Sequence, residues 1–309
     1  MIEAIGLSKR YGDTVAVDDL SFTVPPGQVT GFLGPNGSGK STTMRMILGL
    51  DAPTTGSVTV GGRPYTGYRR PLFEVGALLE ARAVHGGRSA RDHLRCLALS
   101  NGIGRARVEQ VLDQVGLRAV ADRRVGGFSL GMGQRLGIAA ALLGDPPVLM
   151  FDEPVNGLDP EGVLWIRTLL RALAAEGRTV FLSSHLMSEM ALTADRLVVI
   201  GRGRLLAQTS VADFVGSGTG SFVRVRTSGR DALAALLTAQ GASVVAEGPD
   251  TLKVTGVSGD AVGELARVNH LGLQELSTHQ VSLEERYMEL TAQTVDYRTA
   301  DAALAAAPN

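Results

Sequence analysis

The segment from Gly34 to Ser41 reads Gly-Pro-Asn-Gly-Ser-Gly-Lys-Ser and constrains the fold more than any other part of the chain. Its glycines let successive backbone N–H groups turn inward and form a concave site for an anion. The lysine adds a compact positive charge, and the last serine offers a hydroxyl to a metal ion. This spacing fits the pattern G-x-x-x-x-G-K-S/T, which binds the phosphates of nucleotides. The residues predicted to contact the nucleotide here are Gly34, Pro35, Asn36, Gly37, Ser38, Gly39, Lys40, Ser41 and Thr42.

The residues on either side of this loop favour the same interpretation. The apolar run from Gln28 to Leu33 predicts a strand, and the segment from Thr42 to Leu50 predicts a helix. A helix that begins directly after the loop points the positive end of its dipole at the phosphates. This strand–loop–helix order argues against a chance match in a glycine-rich chain.

Length and composition limit the number of domains and the classes of partner that this chain can have. At about 100–200 residues per domain, a chain of 309 residues predicts two domains. A net charge of -1 does not indicate a nucleic-acid binder, and the single cysteine, Cys96, excludes an intrachain disulfide. Because no stretch approaches about 20 uninterrupted apolar residues, we expect any membrane-spanning segment to come from another chain.

Apolar runs farther along the chain predict the fold class. Val148–Phe151, Thr179–Leu182 and Arg196–Ile200 are continuous enough for strands buried on both faces, and Leu164–Ala175 between them is typical of a helix. Strands that alternate with helices predict an α/β fold with a mostly parallel sheet.

A change of composition predicts where the first domain ends. Small residues from Gly216 to Ser221 are typical of a linker, so we expect domains at residues 1–215 and 222–309. The second segment predicts elements in the order β-α-β-β-α-β, which indicates a small α+β accessory domain of ferredoxin-like type. Its role stays open.

Two carboxylates follow directly after one of the buried strands. Asp152 and Glu153 come at the carboxyl end of the Val148 strand, where open α/β sheets bind ligands. In P-loop enzymes an aspartate at this place holds Mg²⁺, here through water, and Glu153 is then placed to act as general base. The alternative is an acidic pair that caps a turn, and the loop at Gly34 favours the catalytic interpretation.

Three other segments each allow a structural interpretation. Ser129, in Phe128 to Arg135, precedes an apolar helix and is a candidate N-cap. The segment from Asn156 to Pro160 can form a turn, and His185 at a strand end is often structural.

Taken together, the order and spacing of these motifs resemble the ATPase subunit of ABC transporters over residues 1–210. The resemblance implies a P-loop NTPase fold of ABC type, with a mostly parallel core, an antiparallel N-terminal β part and a helical subdomain. The matching segments are Gly34 to Ser41 for Walker A, Val148 to Glu153 for Walker B, Phe128 to Met132 for the signature, Asn156 to Asp159 for the D-loop, and Ser183 to His185 for the switch histidine.

The resemblance also implies ATP and Mg²⁺ as cofactors and assigns roles to single residues. Tyr11 corresponds to the aromatic residue that stacks on adenine ahead of the first strands, and Glu153 with His185 positions the attacking water and the γ-phosphate. The Mg²⁺ ligands implied are Ser41, Asp152 and Glu80. Lys40 is expected to stabilise the transition state. Ser129, Gly131 and Asp159 belong to segments that meet ATP across a dimer of ATPase subunits, either homomeric or heteromeric.

Two departures from the family pattern narrow the resemblance. Leu130 and Met132 replace a glycine and the glutamine of the usual signature, and Glu80 stands where the family usually has glutamine. Both departures resemble bacterial drug and antibiotic exporter ATPases of the bacitracin-resistance type. The resemblance implies an integral-membrane permease as partner and a cytoplasmic location on the inner face of the cell membrane. The basic segment from Ala81 to Asp92 either meets this permease or is a solvated loop.

Two other functions compete with a transport ATPase. A soluble ABC-type ATPase acting on nucleic acid or the ribosome has two ATPase halves or a long coiled-coil insertion. This chain predicts one half and no heptad run, so no nucleic-acid partner is expected. A P-loop kinase or GTPase does not require the segment from Phe128 to Met132.

Overall fold

The computed structural model describes residues 1–80, 84–216, 222–279 and 282–291. The chain divides into two compact units, which comprise Met1–Val211 and Ala212–Glu289. Residues 217–221 of the predicted linker and residues 81–83 of the basic segment lie outside the described residues.

The first unit contains nine strands and the helices that surround them in the described ranges. The strands are β1 (Ile2–Tyr11), β2 (Thr14–Val24), β3 (Val29–Leu33), β4 (Thr55–Val60), β5 (Val75–Leu78), β6 (Val148–Phe151), β7 (Thr179–Ser183), β8 (Arg196–Gly201) and β9 (Arg204–Ser210). The helices are α1 (Lys40–Ile47), α2 (Ala90–Ser100), α3 (Arg105–Gln114), α4 (Leu130–Leu142), α5 (Pro160–Ala175) and α6 (Met187–Thr193), and α7 (Val211–Gly216) begins at the end of this unit.

The main sheet has six strands in the order β5-β6-β7-β3-β8-β9. All neighbours pair in parallel except β9, which is antiparallel to β8. The carboxyl ends of β3, β6 and β7 therefore meet at one edge, which brings the segments after Leu33, Phe151 and Ser183 together. The predicted α/β fold with a mostly parallel sheet is confirmed.

An antiparallel sheet in the order β2-β1-β4 forms the N-terminal part of the same unit. Phe22 from this sheet lies against Phe32 and Phe181 of the main sheet, with ring centroids 5.7 Å and 5.8 Å away. The three rings belong to one buried core, so the two sheets are packed together behind the loop at Gly34. Tyr11 is the last residue of β1, not a residue ahead of the first strands as predicted.

Helices α2, α3 and α4 contact one another and form the helical part of the unit. Helix α4 buries apolar residues on several sides, including Leu136 and Ile138, as expected for a core helix. In the described part of the chain, no helix combines the length and apolar character needed to cross a membrane.

The second unit has a four-stranded antiparallel sheet in the order β11-β12-β10-β13. Its apolar core includes Val225 from the sheet and Leu233 and Val262 from two helices. The chain order is the predicted β-α-β-β-α-β, and the ferredoxin-like assignment stays a prediction. The elements of this segment are β10 (Phe222–Thr227), α8 (Arg230–Ala239), β11 (Ser243–Ala246), β12 (Thr251–Thr255), α9 (Gly259–Val268) and β13 (Leu273–His279), followed by α10 (Leu283–Thr291).

Candidate nucleotide-binding site

The loop between β3 and α1 takes a conformation that depends on its glycines. Gly37 and Gly39 have φ of 78° and 100°, a region that L side chains rarely adopt. A Cβ on Gly39 would also collide with the carbonyl oxygen of Ala16. Gly39 is the N-cap of α1, so the helix begins at Lys40, two residues before the predicted start. The loop and the first turn of the helix therefore form the wall of a cleft of about 280 Å³.

Lys40 lies inside this cleft with only 8% of its surface exposed. Its Nζ donates to the carbonyl oxygens of Gly34 at 2.6 Å and Pro35 at 3.2 Å, so the ammonium group ties the loop together. Burial lowers the pKa of Lys40, and the nearby carboxylates of Glu153 and Asp152 act in the opposite direction. A phosphate group in the cleft would add negative charge next to the buried ammonium.

Asp152 faces the loop from the end of β6. The Ser41 hydroxyl donates to Asp152 Oδ2 at 2.9 Å, and the Ser183 hydroxyl donates to Oδ1 of the same carboxylate. A hydroxyl and a carboxylate side by side are hard oxygen ligands, and Mg²⁺ is commonly held by one or two carboxylates together with phosphates and water. These side chains fit a Mg²⁺ ion next to a bound triphosphate.

Glu153 is held next to His185 at the same edge of the sheet. Glu153 Oε2 lies 2.7 Å from His185 Nδ1, and the backbone N–H of His185 donates to the same oxygen at 3.3 Å. Glu153 also lines the cleft that contains Lys40. Its φ of 51° lies in the left-handed region, which is uncommon for a residue with a side chain. Strained residues of this kind cluster at active sites.

Tyr11 and Glu80 lie near the site but are not among the residues that line the cleft. Tyr11 is 48% exposed, and its hydroxyl donates to Asp51 Oδ2 at 3.0 Å. Exposed Glu80 comes two residues after β5, the neighbour of β6 in the sheet. The backbone N–H of Asp152 donates to the carbonyl oxygen of Leu78 at 2.8 Å. The backbone two residues before Glu80 is therefore next to Asp152.

Ser129 and Asp159 cap helices within their own chain, and neither lines the cleft. Ser129 Oγ accepts from the N–H of Met132 at 3.2 Å at the start of α4. Asp159 Oδ1 accepts from the N–H of Gly162 at 2.8 Å at the start of α5. The N-cap that the sequence suggested for Ser129 is therefore present, and these residues with Gly131 form no contact with the nucleotide loop among the described hydrogen bonds.

Two further residues contact the acidic pair but were not predicted as site residues. Ser183 binds Asp152 and also accepts a hydrogen bond from the N–H of Glu153 at 3.0 Å. Gln134 donates from Nε2 to the carbonyl oxygen of Glu153 at 3.0 Å. Ser183 could have been found from its place at the end of a strand two residues before His185. Gln134, which is buried, has no comparable signal in the sequence.

Comparisons with known proteins identify the family. The ABC transporter family matches residues 17–156, and a domain of unknown function matches residues 221–284. An uncharacterised ABC transporter ATP-binding protein of Bacillus subtilis, YhcH, is 35% identical over 95% of this chain and 97% of its own length. The chain belongs to the ABC transporter ATP-binding proteins. It is therefore an ATP-binding and ATP-hydrolysing subunit that powers an ABC transporter.

Two further matches agree with this assignment. The bacitracin transport ATP-binding protein BcrA of Bacillus licheniformis is 41% identical over 67% of this chain and 69% of its own length. A solved ATP-binding subunit of an ABC transporter has a TM-score of 0.64 at 29% identity and covers 70% of this chain and 92% of its own. The predicted resemblance to exporter ATPases of the bacitracin-resistance type is confirmed.

Proposed function

We propose that this ATP-binding protein drives export of antibiotics or other small hydrophobic compounds through a separate membrane permease. The carboxylate of Glu153, held by His185 beside the buried Lys40, is the observation that carries the proposal. A carboxylate and an ammonium group line one cleft, and a histidine lies 2.7 Å from the carboxylate. The similarity to BcrA, whose name assigns it to bacitracin transport, supports the choice of cargo.

The residues in and around the cleft have distinct parts in ATP binding and hydrolysis. The backbone N–H groups from Gly34 to Ser41 and the ammonium of Lys40 hold the phosphates, and Tyr11 stacks on the adenine. Ser41, Asp152 and Glu80 would hold Mg²⁺, which would supply positive charge next to the β- and γ-phosphates.

The chemical step is a proton transfer. The Glu153 carboxylate accepts a proton from the water that attacks the γ-phosphorus. His185, at 2.7 Å from Glu153, fixes the direction of that carboxylate and contacts the γ-phosphate. Lys40 and the loop N–H groups stabilise the negative charge that develops on the phosphoryl oxygens.

A second ATPase subunit completes the site. Ser129 and Gly131 lie at the N terminus of α4, where the positive end of a helix dipole suits a phosphate, yet they do not line the cleft of their own chain. We assign them, with Asp159, to the ATP bound by the partner subunit. Leu130 and Met132 leave the Ser129 hydroxyl and the backbone N–H of Gly131 in place, so the variant signature keeps its donors.

The chain works on the cytoplasmic side of the cell membrane, bound to its permease. We assign residues 1–215 to the ATPase domain and residues 222–309 to an accessory α+β domain. A soluble ABC-type ATPase that acts on nucleic acid or the ribosome is not favoured, since the named relatives are transporter subunits.

Purification from membranes tests the transporter assignment. The tagged full chain, extracted in detergent from membranes of the cells that produce it, should be recovered as a complex with a polytopic membrane protein, and this complex should hydrolyse ATP. The chain expressed alone is the control and should not be retained in the membrane fraction. Recovery with ribosomes or nucleic acid, and without the membrane protein, would contradict the proposal.

A further inference from the structure

A buried amide on α4 contacts the backbone of the proposed base. The side chain of Gln134 is 4% exposed, and its Nε2 donates to the carbonyl oxygen of Glu153 at 3.0 Å. The two residues are 19 positions apart in the chain, so the contact is not a local turn. A buried polar side chain is costly unless it is hydrogen-bonded, which makes this contact specific.

Glu153 needs such support because its backbone is strained. A φ of 51° is unfavourable for a residue with a Cβ and persists where the surrounding structure fixes it. Here the N–H donates to Ser183 Oγ at 3.0 Å, and the carbonyl oxygen accepts from Gln134 Nε2 at 3.0 Å. The carbonyl oxygen also accepts from the N–H of Asn156 at 3.2 Å. Both polar groups of the Glu153 backbone are therefore held by side chains from other elements.

We propose that Gln134 is a positioning residue that keeps Glu153 in the left-handed conformation in which its carboxylate meets His185. This inference rests on the proposed role of Glu153 as general base. Without the amide, the carbonyl of Glu153 keeps only its turn contact to Asn156, and rotation of the backbone to negative φ is no longer opposed from α4. Such a rotation turns the carboxylate away from His185 and from the attacking water.

The location of Gln134 adds a consequence for the dimer. It lies on the helix that Ser129 begins, and Ser129 is the residue that we assign to the partner's ATP. At the same helix end, Leu130 packs against Gly157, where an added Cβ would collide with the Leu130 side chain. If α4 shifts when it closes over the partner's ATP, Gln134 would therefore move with it and change the position of Glu153 in its own chain.

Gln134→Met tests the inference in the full chain. Methionine is similar in volume and apolar, so it removes the donor with little change in packing. We expect kcat for ATP hydrolysis to fall about 10-fold or more, since a small misplacement of a reacting group costs up to about 100-fold. The Kd for a non-hydrolysable ATP analogue should stay within about twofold, because Gln134 does not line the cleft. Leu136→Met, on the same buried helix, is the control and should leave kcat unchanged.

Gln134→Glu provides a readout that a merely structural residue would not affect. Burial raises the pKa of a carboxyl group, so at this buried position the introduced glutamate can be protonated at pH 6 and donate to the Glu153 carbonyl, whereas its ionised form at pH 8 cannot. The ratio of the variant's kcat to that of the wild type should therefore rise as the pH falls. A ratio that does not change with pH would overturn the inference, even if Gln134→Met fails to fold.

The double variant with Glu153→Gln separates this inference from the proposed function. If Gln134 acts through the base, Gln134→Met should cause no further loss of kcat once Glu153 is replaced. A wild-type rate in Gln134→Met, or a further loss in the double variant, would overturn the positioning role alone. Hydrolysis at the wild-type rate in Glu153→Gln alone would instead overturn the assignment of the base.

Discussion

Glu153→Gln is expected to lower kcat for ATP hydrolysis by about 100-fold or more and to leave the Kd for ATP near that of the wild type. The amide cannot accept the proton of the attacking water, whereas its size and its hydrogen bond to His185 are kept. Lys40 and the loop from Gly34 to Ser41 are untouched, so the contacts that hold the phosphates remain. Steady-state hydrolysis and equilibrium nucleotide binding measure the two quantities separately.

Glu161→Gln is the matched control for this substitution. Glu161 is an exposed glutamate in the first turn of α5, eight positions beyond Glu153, and it does not line the cleft. Its replacement removes the same charge and should leave kcat within about twofold, as is usual for surface positions. Equal losses in the two variants would show that the fall in rate is an effect of net charge and not of a general base.

Lys40→Met is expected to abolish hydrolysis and to weaken ATP binding by about 10- to 100-fold, the loss of a charge-assisted hydrogen bond. Its Nζ is the cation in the cleft, and removing one donor to a developing oxyanion costs about 100- to 1,000-fold in rate. Lys40→Arg should also be inactive, because the planar guanidinium is larger than the ammonium and the position is buried, with only 8% of the lysine exposed.

The stability of Lys40→Met distinguishes lost binding from lost folding. Burial lowers the pKa of Lys40, which means that the folded chain without nucleotide disfavours the charged ammonium. The melting temperature of Lys40→Met without ATP should therefore not fall below that of the wild type. The rise in melting temperature that ATP causes in the wild type should be absent from the variant. Lys253→Met, in the second unit, is the control and should keep both properties. Hydrolysis by Lys40→Met at the wild-type kcat/KM would contradict the role of the loop.

Much of the fold could be predicted because burial determines the pattern of residues. The continuous apolar runs of β6 and β7 are strands covered on both faces, and their sequences show it. Strand β9 was not predicted, because it is an antiparallel edge strand of partly exposed residues without such a run. The start of α1 was misplaced by two residues because the helix N-cap is a glycine in a positive-φ conformation, which has no side-chain signal.

Residues that meet at the cleft could be predicted where chemistry fixes residue type and spacing, as for Lys40, Asp152 and Glu153. The contact between Glu153 and His185 joins two strand ends 32 positions apart and follows from sheet order, which periodicity alone does not give. The left-handed backbone of Glu153 and its support by Gln134 depend on tertiary packing. The sequence has no local signal for either of them.

The proposed mechanism requires that Glu153 acts as the base in a site that two subunits complete. The molecular mass and nucleotide content of Glu153→Gln in ATP and Mg²⁺, measured together by light scattering and nucleotide analysis, test it most directly. We expect a dimer that contains ATP and no ADP, and a monomer when nucleotide is removed. A monomer that converts ATP to ADP at the wild-type rate would contradict it.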